Sequence, residues 1–428
     1  MVAATQPTEQ AALIERAKGV LAGGGFGNFA TDIVVTDGKA GRVRDANGKE
    51  YVDFLLGSGP MLIGHGHPEV LEAVHARLER GTTFFANNDA GIRLAEEIVA
   101  AVPCAEKLRF TSSGSEATAY AMRAIRAFMG RSKILKFEGG YHGMSDYALQ
   151  SLAPTRKRND GGPVADSAGI PEAVGEQILL APFNDLAAAT AIIEKHRDEL
   201  AGVIVEPFQR VINPAPGFLQ GLRDATTKAG IPLVFDEIVT GFRWAYGGAQ
   251  AYYGVTPDLC TLGKVIGGGF PLAALTGKAD IMKHFDKAAV GEGGFLPQIG
   301  TLSGNPIAAE AGLATLRVLK RPGTYERLFA TGEALMAGLR EALKKAGVVA
   351  QVTGVGAMFD VIFTDQPIVN YWNTASGDKA KLARFDRVLR EKGVLKGNTK
   401  YYISTAHTEA DVAQAVDAFH AAAKAVAG

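Results

Sequence analysis

From residue 69 onward, apolar residues follow two alternating patterns, one typical of amphipathic helices and one typical of short buried strands. The helical pattern predicts helices over 69–79, 90–101, 115–129, 185–198 and 219–229. Continuous apolar runs predict strands over 107–110, 133–137, 177–181, 203–205, 233–235 and 259–262. Such an alternation indicates an α/β fold with a large, mostly parallel sheet that is covered by helices on both faces.

The two ends of the chain have a different pattern. An amphipathic helix is predicted over 8–22, and short strands with a hairpin turn at 45–48 are predicted between 33 and 56. The C-terminal third predicts helices over 306–319, 324–345, 379–391 and from 409, with strands near 349–353 and 358–363. We therefore expect a large domain over 61–312 and a small α+β domain over 313–428. An N-terminal segment, 1–60, is expected to contribute to the small domain and to the active site.

Composition and charge narrow the range of partners. The chain is 47% hydrophobic and 21% charged, and its 45 basic and 45 acidic residues balance, so no basic field is available for nucleic acid or an anionic membrane. The two cysteines, Cys104 and Cys260, do not fit a disulfide framework or a zinc site, and His65 and His67 lie in a predicted turn. No metal site is predicted. Residues 1–17 lack the apolar core of a signal peptide and no apolar run spans a bilayer, so a cytoplasmic location is expected.

Two charged residues follow neighbouring apolar runs. Asp236 ends the strand at 233–235, and Lys264 follows the strand at 259–262. Ligands of open α/β sheets bind beyond the carboxyl ends of the strands. A buried carboxylate needs a partner, and a lysine with a lowered pKa can add to an aldehyde. We infer that the pair holds pyridoxal phosphate, with Lys264 bonded to the aldehyde and Asp236 beside the ring nitrogen.

Three further strand ends are compatible with this cofactor. The segment 111–117 offers hydroxyls and free N–H groups at a helix N-terminus, which suits a phosphate or, alternatively, simple capping by Ser113 or Ser115. Tyr141, flanked by glycines, could lie flat on a planar ligand or belong to the core. Glu206 could serve the site, cap a helix or form an ion pair. A nicotinamide-binding fold is disfavoured because neither glycine cluster, 23–27 or 354–356, completes the expected motif.

Several motifs together resemble a known family. The segment 233–243 with 261–264 is similar to the signature of class III pyridoxal phosphate aminotransferases, and 300–306 resembles the subgroup that contains glutamate-1-semialdehyde aminomutase. Further agreement is found at 64–68, 113–117, 141–143 and 166–171. The resemblance runs from about residue 20 to the C-terminus. It implies fold type I and a homodimer whose active sites lie at the subunit interface.

The resemblance also implies roles for individual residues. Lys264 would bind the cofactor covalently and act as the base for the proton shift, while Asp236 would bind the ring nitrogen. Ile238 would contact one face of the ring and Tyr141 would stack on the other. The remaining implied cofactor-binding residues are Ser113, Gly114 and Ser115 at the phosphate, Thr301 at the phosphate of the neighbouring subunit, and Glu206 near the ring oxygen.

The substrate-binding region departs from the aminomutase. That enzyme has a Ser-x-x-Arg motif that grips the substrate carboxylate, whereas the corresponding segment here contains Asn28 and no arginine. Arg210 and Lys400 are candidate replacements, although each could equally form a surface salt bridge. We therefore expect an aminotransferase that moves an amino group between an amine or amino acid, including β- or ω-amino acids, and a keto acid or aldehyde by a ping-pong mechanism. The alternatives are intramolecular transfer of the aminomutase type and a non-catalytic cofactor-binding protein.

Overall fold

A computed structural model describes residues 8–159 and 161–427 of the 428-residue chain. They form two compact units, each built from separate stretches of sequence. The larger unit comprises Pro68–Tyr325 and Gln366–Ser376, and the smaller unit comprises the chain up to His67, Glu326–Asp365 and the chain from Gly377 onward. The expectations for residues 1–17 and 1–60 rest partly on residues 1–7, which lie outside the described residues.

The strands and helices follow the predicted order, with some additions. The strands are β1 Val35–Lys39, β2 Arg42–Asp45, β3 Glu50–Phe54, β4 Lys107–Thr111, β5 Lys133–Phe137, β6 Ile178–Ala181, β7 Leu200–Val205, β8 Leu233–Glu237, β9 Leu259–Leu262, β10 Ala273–Gly277, β11 Gln351–Val355, β12 Met358–Ile362, β13 Val394–Lys396 and β14 Tyr401–Tyr402. The helices are α1 Glu9–Val20, α2 Pro68–Leu78, α3 Asp89–Ala101, α4 Gly114–Met129, α5 Glu172–Gly175, α6 Leu186–Lys195, α7 Phe218–Ala229, α8 Gly248–Tyr253, α9 Ala279–Met282, α10 Lys287–Gly294, α11 Pro306–Leu319, α12 Thr324–Lys345, α13 Tyr371–Ala375, α14 Lys379–Glu391 and α15 Glu409–Ala425.

The larger unit is organised around a seven-stranded sheet with the order β4-β10-β9-β8-β7-β5-β6. Strands β5 to β9 pair in parallel, whereas β10 is antiparallel to both of its neighbours. All residues of β7, β8 and β9 are buried, as expected for strands with helices on both faces. The predicted fold class, a large mostly parallel sheet with a smaller α+β part, is confirmed.

The smaller unit contains two sheets, with the orders β1-β2-β3-β13 and β11-β12-β14. Helix α12 buries the stripe of leucines that the sequence predicts, Leu328, Leu335, Leu339 and Leu343. An ion pair of 2.7 Å joins Arg42 of β2 to Asp411 of α15, so the N-terminal strands and the last helix are packed within one unit. In the described part of the chain, no helix is long and apolar enough to cross a membrane.

The two units divide the chain differently from the predicted domains. The predicted limit between 312 and 313 lies inside α11, a helix that starts at Pro306 with Asn305 as its cap and is buried along nearly its whole length. It packs against α2 and α3 of the larger unit, which keeps the whole helix with that unit. In addition, Gln366–Ser376 belongs to the larger unit although the chain on both sides of it belongs to the smaller one.

Candidate active site

Asp236 lies near the end of β8, where its carboxylate is 4% exposed. Its Oδ2 lies 2.8 Å from Nδ1 of His142, and its Oδ1 accepts hydrogen bonds from Thr261 Oγ1 at 3.0 Å and from the N–H of Ile238 at 3.2 Å. No lysine or arginine pairs with this carboxylate among the described residues. Because a buried carboxylate is costly without a cation, this arrangement suits a protonated ring nitrogen as the missing partner.

Lys264 lies at the same edge of the sheet. Strand β9 pairs in parallel with β8 so that Thr261 is opposite Asp236, and Lys264 follows shortly after the end of β9. It begins a 3-10 turn, Lys264–Gly267, and has a φ of 47°, in the left-handed region that residues other than glycine seldom adopt. Strain of this kind concentrates at functional sites, and here it falls on the one residue predicted to form the covalent bond.

The N-terminus of α4 combines a helix cap with an open anion site. Ser113 Oγ accepts the N–H of Glu116 at 3.3 Å, and the Glu116 carboxylate accepts the N–H of Ser113 at 2.9 Å, which forms a capping box. The capping alternative for Ser113 is therefore observed. Gly114 and Ser115 are the next two residues, and their N–H groups have no acceptor inside the helix. These two groups, with the helix dipole, remain suited to a phosphate.

Glycines keep the space beside this helix end open. A Cβ on Gly114 would lie 3.1 Å from Ile238 Cγ2, and a Cβ on Gly263 would lie 3.1 Å from Ile238 Cδ1. Gly143 has a φ of 86°, and a Cβ there would lie 2.6 Å from the Cα of Ser115. Ile238 thus lies between Gly114 and Gly263 next to the anion site. Larger residues at these two positions would fill the open space beside the helix end, here called the cradle. The residues present fit pyridoxal phosphate.

Tyr141 lies beside Glu206 and Arg210, with 37% of its side chain exposed. Its N–H donates to Glu206 Oε2 at 2.9 Å, so the glutamate fixes the backbone of the tyrosine. The guanidinium carbon of Arg210 lies 5.6 Å from the centre of the Tyr141 ring. Burial raises the pKa of the Tyr141 hydroxyl, while the charge of Arg210 lowers it. No ion pair is found for Arg210 within the described ranges, so the surface salt bridge considered for it is not observed.

The structure places the other predicted residues as follows. Thr301 is exposed in the larger unit and lines a cavity of about 380 Å³ together with Phe84, Phe85 and Ile299. Asn28 and Lys400 belong to the smaller unit, where Asn28 is exposed and Lys400 is buried with its ammonium 5.8 Å from the ring of Tyr402. Because Lys400 is buried, a surface salt bridge is not its role.

Sequence reasoning missed two residues at this site. His142 lies in the family-like segment 141–143 and its sequence context predicts no role for it, although its ring contacts Asp236 directly. Gln209 is buried beside the loop that follows β5, and its Nε2 donates to the carbonyl of Glu138 at 2.7 Å. The available signal is position, because both residues lie in loops that follow buried strands, and such loops form the ligand edge of the sheet.

Comparison with known proteins gives consistent matches. The model of the family described as aminotransferase class-III matches residues 27–422. The structure is similar to an omega-transaminase from Sphaerobacter thermophilus, with 37% identity, a TM-score of 0.94 and 99% of each chain covered. It is also similar to a β-phenylalanine aminotransferase from Variovorax paradoxus, with 32% identity, a TM-score of 0.86, and 97% of this chain and 93% of that chain covered.

A glutamate-1-semialdehyde-aminomutase from Pseudomonas aeruginosa PAO1 has a similar fold, with a TM-score of 0.87 and 97% and 94% of the two chains covered. Its sequence identity is 24%, so this likeness concerns the fold alone.

Proposed function

The chain belongs to the class III aminotransferases, which use pyridoxal phosphate, and from this premise we propose that Lys264 and Asp236 are its catalytic residues. Bound pyridoxal phosphate supplies an aldehyde that takes up amino groups and a ring that withdraws electrons. The observation that carries the assignment is the buried Asp236 carboxylate without a lysine or arginine partner, on the strand next to the one that leads to Lys264. Both residues reach the ligand edge of the sheet.

Each catalytic residue has a defined task. Asp236 holds a proton on the ring nitrogen, and the hydrogen bonds from His142 and Thr261 keep its carboxylate oriented. Lys264 would hold the cofactor through its amine and would serve as the base that moves the proton at the substrate carbon. Both tasks use the amine in its neutral form.

The geometry of the cradle supports the remaining proposed cofactor contacts. The N–H groups of Gly114 and Ser115 bind the phosphate, with Ser113 shaping the helix end on which they lie. Ile238 contacts one face of the ring, Tyr141 stacks on the other, and Glu206 fixes the backbone of Tyr141. These contacts orient the ring and exclude water from the bond that Lys264 forms.

Arg210 is proposed to bind the carboxylate of the substrate. Its guanidinium lies against Tyr141 and has no acidic partner in the described part of the chain, so its donors are available to a ligand. Two similar proteins are named an omega-transaminase and a β-phenylalanine aminotransferase, which supports donors whose amino group is not on the α carbon. Lys400 and Asn28 remain secondary candidates for the same task.

Transfer between two molecules is favoured over the aminomutase alternative. The omega-transaminase and the β-phenylalanine aminotransferase are 37% and 32% identical to this chain, whereas the aminomutase is 24% identical. The segment around Asn28 also lacks the arginine expected of the aminomutase-like subgroup. Conversion of a semialdehyde substrate without any added keto acid would instead support intramolecular transfer and membership of that subgroup.

A homodimer is proposed from the surface around Thr301. Phe85 is 70% exposed and Ile299 is 79% exposed, and both line the same cavity as Thr301. Exposed apolar side chains grouped in this way are typical of interaction surfaces. We expect a second copy of the chain to cover them and to receive Thr301 at its phosphate site. Sedimentation analysis at several concentrations tests this, and a purely monomeric enzyme with full activity would contradict it.

Absorbance spectroscopy tests the catalytic assignment. The purified enzyme should be yellow, an amino donor should bleach the colour, and a keto acid should restore it. Lys264→Ala should lose the covalently bound spectral form, whereas the exposed Lys344→Ala should behave like the wild type. An identical spectrum in Lys264→Ala would show that another residue holds the cofactor. A survey of donors by bleaching rate then identifies the substrate class.

A further inference from the structure

One segment of the larger unit has no part in the function proposed above. Residues Gln366–Ser376, here called the strap, lie on the larger unit although the chain before and after them belongs to the smaller one. The strap contains the short helix α13, which begins with a capping box between Asn370 and Asn373. Two aromatic residues, Tyr371 and Trp372, form the start of this helix, and their rings lie edge to face with centres 5.2 Å apart.

Three hydrogen bonds attach the strap to three different loops of the larger unit. They run from Asn184 Nδ2 to the Val369 carbonyl at 2.9 Å, from the Tyr371 hydroxyl to the Pro154 carbonyl at 3.0 Å, and from Trp372 Nε1 to Glu138 Oε2 at 2.8 Å. Asn184 has a φ of 69° and also binds residues 213 and 215 through its amide. Attachment at three points by side chains indicates a defined docking position.

One of these hydrogen bonds and one further ring contact fall on the loop that carries Tyr141. Trp372 binds the carboxylate of Glu138, a charge-assisted hydrogen bond. The ring of Tyr371 covers Gly139, which has a φ of 78° and no room for a side chain beneath the ring. The strap therefore fixes the two residues that begin the loop 138–141, immediately after β5.

The opposite side of the same loop is fixed by residues that follow β7. Gln209 Nε2 donates to the Glu138 carbonyl, and Glu206 accepts the N–H of Tyr141. The loop is thus held from two sides. One side belongs to the sheet that carries the catalytic residues, and the other is the strap.

We propose that the strap is a positioning element for Tyr141, and that Trp372 and Tyr371 set the tilt of the Tyr141 ring against the cofactor. This inference rests on the proposed function, because it takes Tyr141 as the residue that stacks on the ring. On the sheet side, Gln209 and Glu206 hold the backbone only at Glu138 and Tyr141. The N–H of Gly139 donates to the carbonyl of Ser151 at 2.9 Å, and the strap adds the ring of Tyr371 over Gly139, whose φ decides the direction in which the chain continues to Tyr141.

The test uses the complete enzyme and two strap variants. Trp372→Phe removes the hydrogen bond to Glu138 and keeps an aromatic ring, and Tyr371→Phe removes only the hydroxyl. Tyr325→Phe is the matched control, because its hydroxyl also donates to a backbone carbonyl, that of Phe242, at 2.9 Å. The readouts are the dissociation constant of pyridoxal phosphate and the induced circular dichroism of the bound cofactor. The dichroism is sensitive to the orientation of the Tyr141 ring relative to the cofactor.

We expect Trp372→Phe to weaken cofactor binding about tenfold, the effect of losing one hydrogen bond to a charged group, and to change the induced dichroism. Tyr371→Phe should change the dichroism with a smaller loss of affinity, and the control should do neither. Hydrogen exchange of residues 138–141 in the cofactor-free protein should be faster in both strap variants.

The outcomes separate the two proposals. If the wild type binds pyridoxal phosphate and both strap variants retain its dichroism, affinity and exchange rates, the strap has no positioning role. If the wild type itself binds no cofactor, the proposed function fails first. Should Trp372→Phe not fold, Tyr371→Phe decides the question by its dichroism and its exchange rates.

Discussion

His142 Nδ1 lies 2.8 Å from Asp236 Oδ2, and the two side chains are 1% and 4% exposed. With a proton on Nδ1, the imidazole donates a hydrogen bond to the carboxylate. The other ring nitrogen, Nε2, is buried without a hydrogen-bond partner in the described part of the chain. The histidine therefore orients the carboxylate of Asp236 toward the place proposed for the ring nitrogen of the cofactor.

Replacement of the Asp236 carboxylate should slow the reaction strongly. In Asp236→Asn the shape is nearly kept but the charge is lost, so the ring nitrogen is no longer held protonated. We expect the rate of the donor half-reaction to fall on the order of a hundredfold or more, with stopped-flow absorbance as the measurement. Asp417→Asn, at an exposed site, serves as the control. A rate within about twofold of the wild type would show that Asp236 has another role.

Arg210→Ala should separate acidic donors from simple amines. Loss of a charge-assisted contact to a carboxylate is expected to lower kcat/KM for β- or ω-amino acids by roughly tenfold to a hundredfold, while a donor without a carboxylate is affected little. Steady-state kinetics with both kinds of donor provide the measurement, and Arg317→Ala, at an exposed helix position, is the control. An equal loss for both donors would make Arg210 a structural residue.

Gly143→Ala should impair the phosphate end of the cofactor site. An added Cβ would lie 2.6 Å from the Cα of Ser115, and the φ of 86° is itself unfavourable for alanine. We expect weaker binding of pyridoxal phosphate together with lower stability. Gly130→Ala is a matched comparison, because its φ is 63° with no atom close to the added Cβ. That variant should lose only about 1 kcal/mol of stability and keep its cofactor affinity.

A buried charge cluster should make the smaller unit sensitive to pH. The ammonium of Lys396 lies 3.2 Å from Asp360 Oδ1 and 3.3 Å from Asp386 Oδ1, so one cation serves two carboxylates. Burial, opposed by Lys396 and reinforced by Asp360, raises the pKa of Asp386 to about 6. In the unfolded chain an aspartate titrates near 3.9, so between these values the folded protein binds more protons.

The free energy of unfolding should therefore fall as the pH rises from about 4 to about 6. Asp386→Asn should weaken this dependence, to which the buried Asp360 with its raised pKa also contributes, and is expected to stabilise the protein at pH 7 by about 1 kcal/mol or more, since a single carboxylate then pairs with Lys396. Urea unfolding at pH 4.5, 6 and 7.5, all chosen around that window, provides the measurement. The same pH profile in the wild type and the variant would rule out Asp386 as the origin.

Most of the larger unit could be predicted because its elements are strongly patterned. Strand β9 begins and ends at the predicted residues, and α4 starts where the serine and glutamate of its capping box indicate. Asp236 and Lys264 could be found because both follow buried apolar runs. In these places local sequence and tertiary structure favour the same conformation.

Other features depend on contacts between distant parts of the chain. Strand β10, Ala273–Gly277, contains no β-branched residue except Thr276, and only its two neighbours in the sheet make it a strand. The strap lies within the small domain predicted over 313–428, yet it belongs to the larger unit. Its docking relies on side chains such as Asn184, which lie far from it in sequence. Periodicity carries no information on such contacts.

The direction of β10 has a consequence for the catalytic lysine. In a purely parallel sheet, the chain leaving β9 would have crossed over one face of the sheet through a helix before returning. Because β10 is antiparallel, the chain instead turns back directly, and Leu262 and Ala274 end as partners in the ladder. Lys264 thus lies in a hairpin loop that is anchored at both ends. Lys264 can therefore shift only as far as β9 and β10 allow. Large movements in other parts of the protein need not separate it from Asp236.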